Sequence, residues 1–188
     1  MAVYRGTFGL AKGLGAVLAA AAELKRRQRP DIKLVLIGDG MRGAALAAEV
    51  ARQQLDNVVL LAPVAKTRLA GLLKAADLGL QILANVPAFY DGTSPNKFFD
   101  YLACGLPVLI NYPGWLATFV TERRLGFAVP PGDAAGFATA LISAADDRAD
   151  SRQRGQAARR LAEAEFSRDA LANRWVSVLE QAWNEGRS

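Results

Sequence analysis

The sequence predicts a doubly wound, Rossmann-like α/β domain: a parallel sheet of about six strands flanked by helices, followed by a helical C-terminal tail. Three observations predict it. Short apolar runs without polar alternation recur, each followed by helical periodicity, the pattern of strands covered on both faces. Beyond Pro130-Pro-Gly-Asp133 the strands cease and the chain reads as helix. The 188 residues suffice for one well-buried domain and not for two of ordinary size.

The elements follow in order. Val3–Thr7 reads as a short strand, and Leu14, Val17, Leu18, Ala21 and Leu24 then mark one face of a helix. Lys33–Ile37 is a buried strand, Met41–Gln54 an Ala-rich helix, and Val58–Leu61 the next strand. Leu69, Leu72, Leu73 and Ala76 define a short helix before a strand over Leu78–Leu83. A helix capped by Ser94 leads into a strand at Val108–Ile110, a helix near Trp115–Arg123 and a strand near Gly126–Val129. In the tail, Phe137, Ala140, Leu141 and Ala144 line one helix, and Leu171, Trp175, Val178 and Leu179 line the last. A sheet of this kind binds ligands beyond the carboxyl ends of its strands.

Composition narrows the chemistry. Histidine is absent, which removes serine-triad, imidazole acid–base and ordinary zinc catalysis. No Asp-x-Asp pair is available to hold a divalent cation on a nucleotide. One cysteine, Cys104, excludes an internal disulfide and reads as a small buried filler. No apolar run approaches the ~20 residues that span a bilayer, and the start reads directly into a strand, so a cytoplasmic location is expected. The net charge of +5 is moderate; its clusters, Lys25-Arg26-Arg27 and Arg152/Arg154/Arg159/Arg160, lack interleaved aromatics and read as solvated helix faces. Nucleic acid is not an expected partner.

The chemistry concentrates in Asp91-Gly-Thr-Ser-Pro-Asn-Lys-Phe-Phe-Asp100 and the residues after it. Ser94 at a helix N-cap, Pro95 in the first turn, then Asn96 and Lys97, would present free backbone N–H groups, a helix dipole and an ammonium to a phosphate. Asp100 falls one turn further on the same face, where a carboxylate could meet ribose hydroxyls. Other positions carry two readings each. In Gly6-Thr-Phe-Gly9 and the following Leu-Ala-Lys12, the lysine is either a phosphate contact or a surface residue beside turn glycines. Asp91 is either a ligand or a turn aspartate. Phe89 and Tyr90 serve equally as loop packing or as a sugar platform. Gly38-Asp-Gly-Met-Arg-Gly43 matches the dinucleotide fingerprint. Its next strand, however, ends without the acid that would hold a ribose, so a tight strand–helix turn is the stronger reading.

Taken in order, Tyr4–Gly13, Leu36-Ile-Gly-Asp-Gly40, Asn57-Val-Val-Leu-Leu61, Ala76-Asp-Leu78 and Ser94-Pro-Asn-Lys-Phe-Phe-Asp-Tyr-Leu-Ala-Cys-Gly-Leu-Pro-Val108 resemble the C-terminal half of family 4 glycosyltransferases. These are retaining, nucleotide-sugar-dependent enzymes of two Rossmann-like domains, and the wording is similar to bacterial transferases that move N-acetylated amino sugars or deoxysugars in surface-polysaccharide and lipopolysaccharide assembly. The resemblance implies a single donor-binding domain over residues 1–188, with its helical tail from about 133 and an N-terminal acceptor half outside this chain. It implies a UDP-sugar donor, favoured over a GDP-sugar, and a glycan or lipid-linked acceptor. No metal or other cofactor would be needed, and the full-length enzyme would sit peripherally at the membrane. Alone, the domain would transfer little.

Residue by residue, Lys12 matches the family's diphosphate lysine, and Thr7 stands where an arginine accompanies it. Arg5 replaces that arginine only if its side chain turns inward. Asp100 matches the second acid of the Glu-x7-Glu pair, one methylene shorter. The first acid would fall at Gly92, so Asp91 fills that role with a one-residue shift. Backbone near Val64 would meet the base, and Gly6, Gly9, Gly38 and the Asn96 and Lys97 amides would approach the donor. Two other classes stay open: a non-catalytic nucleotide-binding module, and an NAD-linked oxidoreductase or epimerase half.

Overall fold

A computed structural model describes residues 1–186. The strands are β1 (Ala2–Arg5), β2 (Leu34–Ile37), β3 (Val58–Leu61), β4 (Leu78–Gln81), β5 (Val108–Ile110) and β6 (Gly126–Ala128). Between them lie α1 (Gly15–Arg26), α2 (Gly43–Arg52), α3 (Lys66–Lys74), α4 (Asn96–Ala103) and α5 (Trp115–Glu122); α6 (Ala134–Asp146), α7 (Arg148–Glu165) and α8 (Arg168–Glu185) follow. All strand pairs are parallel, in the order β3-β2-β1-β4-β5-β6. The doubly wound prediction holds, with the chain reversing its direction of growth between β1 and β4.

Strand alternation sends side chains to two cores. Ala2, Tyr4, Leu34, Leu36, Leu78 and Leu80 face one side, against α1 and α6; Val3, Val35, Ile37, Val108 and Ile110 face the other, against α4, α5 and α7. The outer strand β3 departs from the prediction of burial on both faces. Val59 and Leu61 stay exposed, because an edge strand has only one neighbour to support a covering layer.

At the switch point the Tyr101 side chain bridges β1 and β4. Strands β1 and β4 pair at Ala2–Leu78 and Val3–Gly79. Past that pair the Tyr101 ring from α4 enters the junction. Its hydroxyl accepts from the Arg5 amide at 3.2 Å and donates to the Leu80 carbonyl at 3.3 Å. Gly79 makes this entry feasible: a Cβ there would lie 2.5 Å from the Tyr101 ring.

Two expectations need local correction. Ser94 does not cap α4; Pro95 occupies the N-cap in an extended conformation and no side chain caps the helix, leaving Ser94 exposed in the preceding loop. Side-chain caps do start the tail helices, with Asp133 accepting from Gly136 N at 2.7 Å and Asp147 from Asp150 N at 2.9 Å. Cys104 is only partly buried, since it closes α4 at the domain surface. The last helix, α8, buries none of its residues, and Leu171, Trp175, Val178 and Leu179 are all exposed.

Candidate functional site

The site grows from the carboxyl end of β1 and the amino end of α4, which meet at the switch point. After Arg5 the chain turns at Gly6, runs through Thr7 to a short 3-10 turn at Leu10–Lys12, and enters α1. Ala84 N donates to Ala11 O at 3.0 Å, fixing that turn against the loop leaving β4. Across this junction α4 begins with Asn96 and Lys97, whose amides make no hydrogen bond within the described chain. Such free amides at a helix start favour an anion.

Lys97 is the unusual group. Its side chain is buried, with 8% of the residue exposed, and its ammonium has no hydrogen-bond partner among the described residues. It sits 4.0 Å from the centroid of the Tyr4 ring, close against Gly6. Burial pulls its pKa down to about 7, and the positive charges of Lys12 and Arg5 push the same way. The Tyr4 hydroxyl donates to Thr7 O at 3.0 Å, and burial raises its pKa to about 12, so it stays neutral. Arg5 forms an ion pair with Asp100, while the Arg5 Nε is buried and unpaired.

Three cations and one carboxylate therefore converge where the sheet switches direction. Most other basic groups are already engaged. Arg27 bonds Glu23, Arg29 bonds Asp31 and Asp146, and Arg154 bonds Asp150 and the Gly126 carbonyl. The cluster is an electrostatically unfinished site, and a multiply charged anion would finish it.

Beside the cluster a cleft of about 290 Å³ opens, lined by Arg5, Gly6, Thr7, Gly38, Val64 and Leu69 among others. Four of the predicted positions, Gly6, Thr7, Gly38 and Val64, thus share one cavity wall. Gly9 does not join them; it lines a separate cleft with Leu10, Gly13, Leu14, Arg42 and Leu46, because the backbone bonds of Phe8 to Asp39 and Arg42 hold this stretch beside the start of α2. Asp91 and Ser94 lie in exposed loop, and Asp91 forms no ion pair among the described residues; its carboxylate faces Gly114. Tyr90 stacks on Tyr112 with ring centroids 6.0 Å apart, the loop-packing reading of that residue.

The Gly38–Gly43 run is consumed by packing. A Cβ on Gly38 would fall 1.9 Å from Gly6 O, so only glycine lets the two loops meet. Gly38 N donates to Leu61 O, Gly40 N to the Asp39 carboxylate, Arg42 N to Phe8 O and Gly43 N to Gly40 O. Those amides are not free for a pyrophosphate. Sequence reasoning missed Tyr4, the aromatic platform under Lys97; its place in an apolar strand gave no signal beyond core.

Fold and site together define a doubly wound domain with a cluster of basic side chains at its switch point. The family model for glycosyl transferases group 1 matches residues 1–147. The chain is 33% identical over 139 residues to D-inositol 3-phosphate glycosyltransferase 2 of Catenulispora acidiphila, covering 69% of this chain and 31% of that protein. Among solved structures it resembles Anabaena HepE in complex with UDP (TM-score 0.80, 20% identity, 96% of this chain and 48% of that one). It also resembles sucrose-phosphate synthase from Thermosynechococcus elongatus (TM-score 0.77, 26% identity, 98% and 46%). The chain belongs to the glycosyl transferases group 1 family. It spans less than half the length of these relatives.

Proposed function

We propose that this domain is the donor-binding half of a retaining glycosyltransferase that takes its sugar from a UDP-sugar. The observation that carries the reading is the buried, unpartnered Lys97 ammonium beside Lys12 and Arg5 at the switch point. A diphosphate would supply the missing anion. The free amides of Asn96 and Lys97 would bind phosphate oxygens, and Asp100 would accept from the ribose hydroxyls. The cleft at Gly6, Thr7, Gly38 and Val64 would seat the nucleoside. Family membership and the UDP bound to Anabaena HepE support this choice over NAD.

In transfer, a bond forms from the anomeric carbon to an acceptor hydroxyl oxygen as the bond to the diphosphate oxygen breaks; the nucleoside diphosphate leaves and takes up the hydroxyl's proton. Lys12 and Lys97 stabilise the negative charge that develops on it, in place of a metal ion. Asp91 is assigned to the sugar end of the donor. The acceptor, a glycan or lipid-linked sugar, would be held by an N-terminal half, and the apolar face of α8 would dock on that half. No helix among the described residues is long and apolar enough to cross a membrane.

Calorimetric titration with UDP, GDP and NAD, with and without magnesium, tests the reading. Metal-independent UDP binding is expected, with GDP weaker. Binding of NAD in preference to UDP would overturn it.

A further inference from the structure

Arg5 ends β1 on the side of the sheet that faces α4. Its amide is tied to Tyr101, and its guanidinium lies on Asp100 at the lip of the cleft. The pairing is incomplete in two ways. Arg5 Nε is buried without an acceptor, and the neighbouring Lys97 ammonium is buried without any partner. Asp100 neutralises one of three converging cations, and its carboxylate is occupied in doing so. Thr7, exposed on the same loop, brings no charge.

Resting on the donor-site reading, we propose that Arg5 is the second diphosphate-binding cation of this site. Arriving phosphates draw it off Asp100 and free that carboxylate for the ribose. The exchange follows from donor and acceptor chemistry. A guanidinium presents five N–H donors in a planar fork suited to two phosphate oxygens, and turning to a phosphate lets the orphaned Nε find an acceptor. The freed carboxylate then has no cation to hold and two hydroxyls within its chemistry. Phosphate and ribose recognition thereby become coupled: each half of the nucleotide is bound better when the other is present.

The test compares uridine, inorganic pyrophosphate and UDP on the unaltered chain, on Arg5→Met and on Asp100→Asn. Arg5→Met is expected to weaken UDP about tenfold or more while leaving uridine binding equal or tighter. Asp100→Asn is expected to tighten pyrophosphate, because Arg5 loses its internal competitor, and to weaken uridine. A purely structural Arg5 that only orients Asp100 would give equal losses for uridine and UDP in Arg5→Met, which would overturn the proposal. If Arg5→Met fails to fold, Asp100→Asn decides alone: pyrophosphate affinity no better than in the unaltered chain would also overturn it. Failure of the unaltered chain to bind UDP or pyrophosphate would sink the donor-site reading, and this inference with it.

Discussion

The Lys97 ammonium rests 4.0 Å from the centroid of the Tyr4 ring, buried and without a hydrogen-bond partner. A cation–π contact compensates part of the lost hydration of an ammonium. It leaves three N–H donors unused. Substituting Lys97→Met removes a desolvated charge that no described residue satisfies. Thermal unfolding of the unliganded variant should therefore occur at equal or higher temperature, while UDP affinity falls about tenfold or more. Loss of stability together with unchanged UDP affinity would show Lys97 to be structural.

The same group sets a pH dependence. In the unfolded chain Lys97 titrates near the ordinary lysine value of 10.5; in the fold burial holds its pKa down to about 7. Between the two the unfolded state binds more protons, so this residue makes stability rise as pH climbs through that window. Above pH 10 the buried Tyr4, Tyr101 and Tyr112, whose pKa values are raised, reverse the slope. Melting temperatures between pH 6.5 and 9 should increase for the unaltered chain relative to Lys97→Met. A parallel pair of curves would remove Lys97 as the cause.

Ligand binding should run the other way. Diphosphate favours the charged ammonium, so UDP affinity is expected to fall above about pH 7, with proton uptake on binding at pH 8. Calorimetry in buffers of different ionisation enthalpy reads that uptake directly. Binding enthalpies that do not depend on the buffer would contradict it.

Gly79→Ala tests the junction that opens the site. The new methyl would meet the Tyr101 ring at 2.5 Å, forcing it from the bridge between Arg5 and Leu80. Overpacking of this kind costs about 1–3 kcal/mol, measurable by urea denaturation. An unchanged midpoint would mean that the ring moves freely and does not define the crevice.

The exposed face of α8, with Leu171, Trp175, Val178 and Leu179, predicts self-association of this chain at high concentration. Light scattering should show dimer growing with concentration, and Trp175→Glu should suppress it. A strict monomer throughout would argue against a docking role for this helix.

Much of the fold was legible because each strand and helix declares itself locally. Leu34–Ile37 is apolar at every position, and α1 carries its buried residues at helical spacing. What the sequence hid depends on neighbours. The exposure of Val59 and Leu61 follows from β3 lying at an edge, which strand order decides. Ser94 lost its cap because the loop enters α4 through Pro95, a backbone detail no composition rule specifies. Lys97 and Asp100 stood out through their helix spacing. Their partners Tyr4 and Arg5 come from the far end of the chain, joined to them only when β1 settles beside β4.

Backbone amide resonances followed while UDP is added would locate the donor site on the chain. Shifts are expected to concentrate at Gly6–Lys12 and Asn96–Asp100, to saturate together and to be lost in Lys97→Met. Shifts confined to Gly38–Gly43 and α2, or indifferent to Lys97→Met, would contradict this placement.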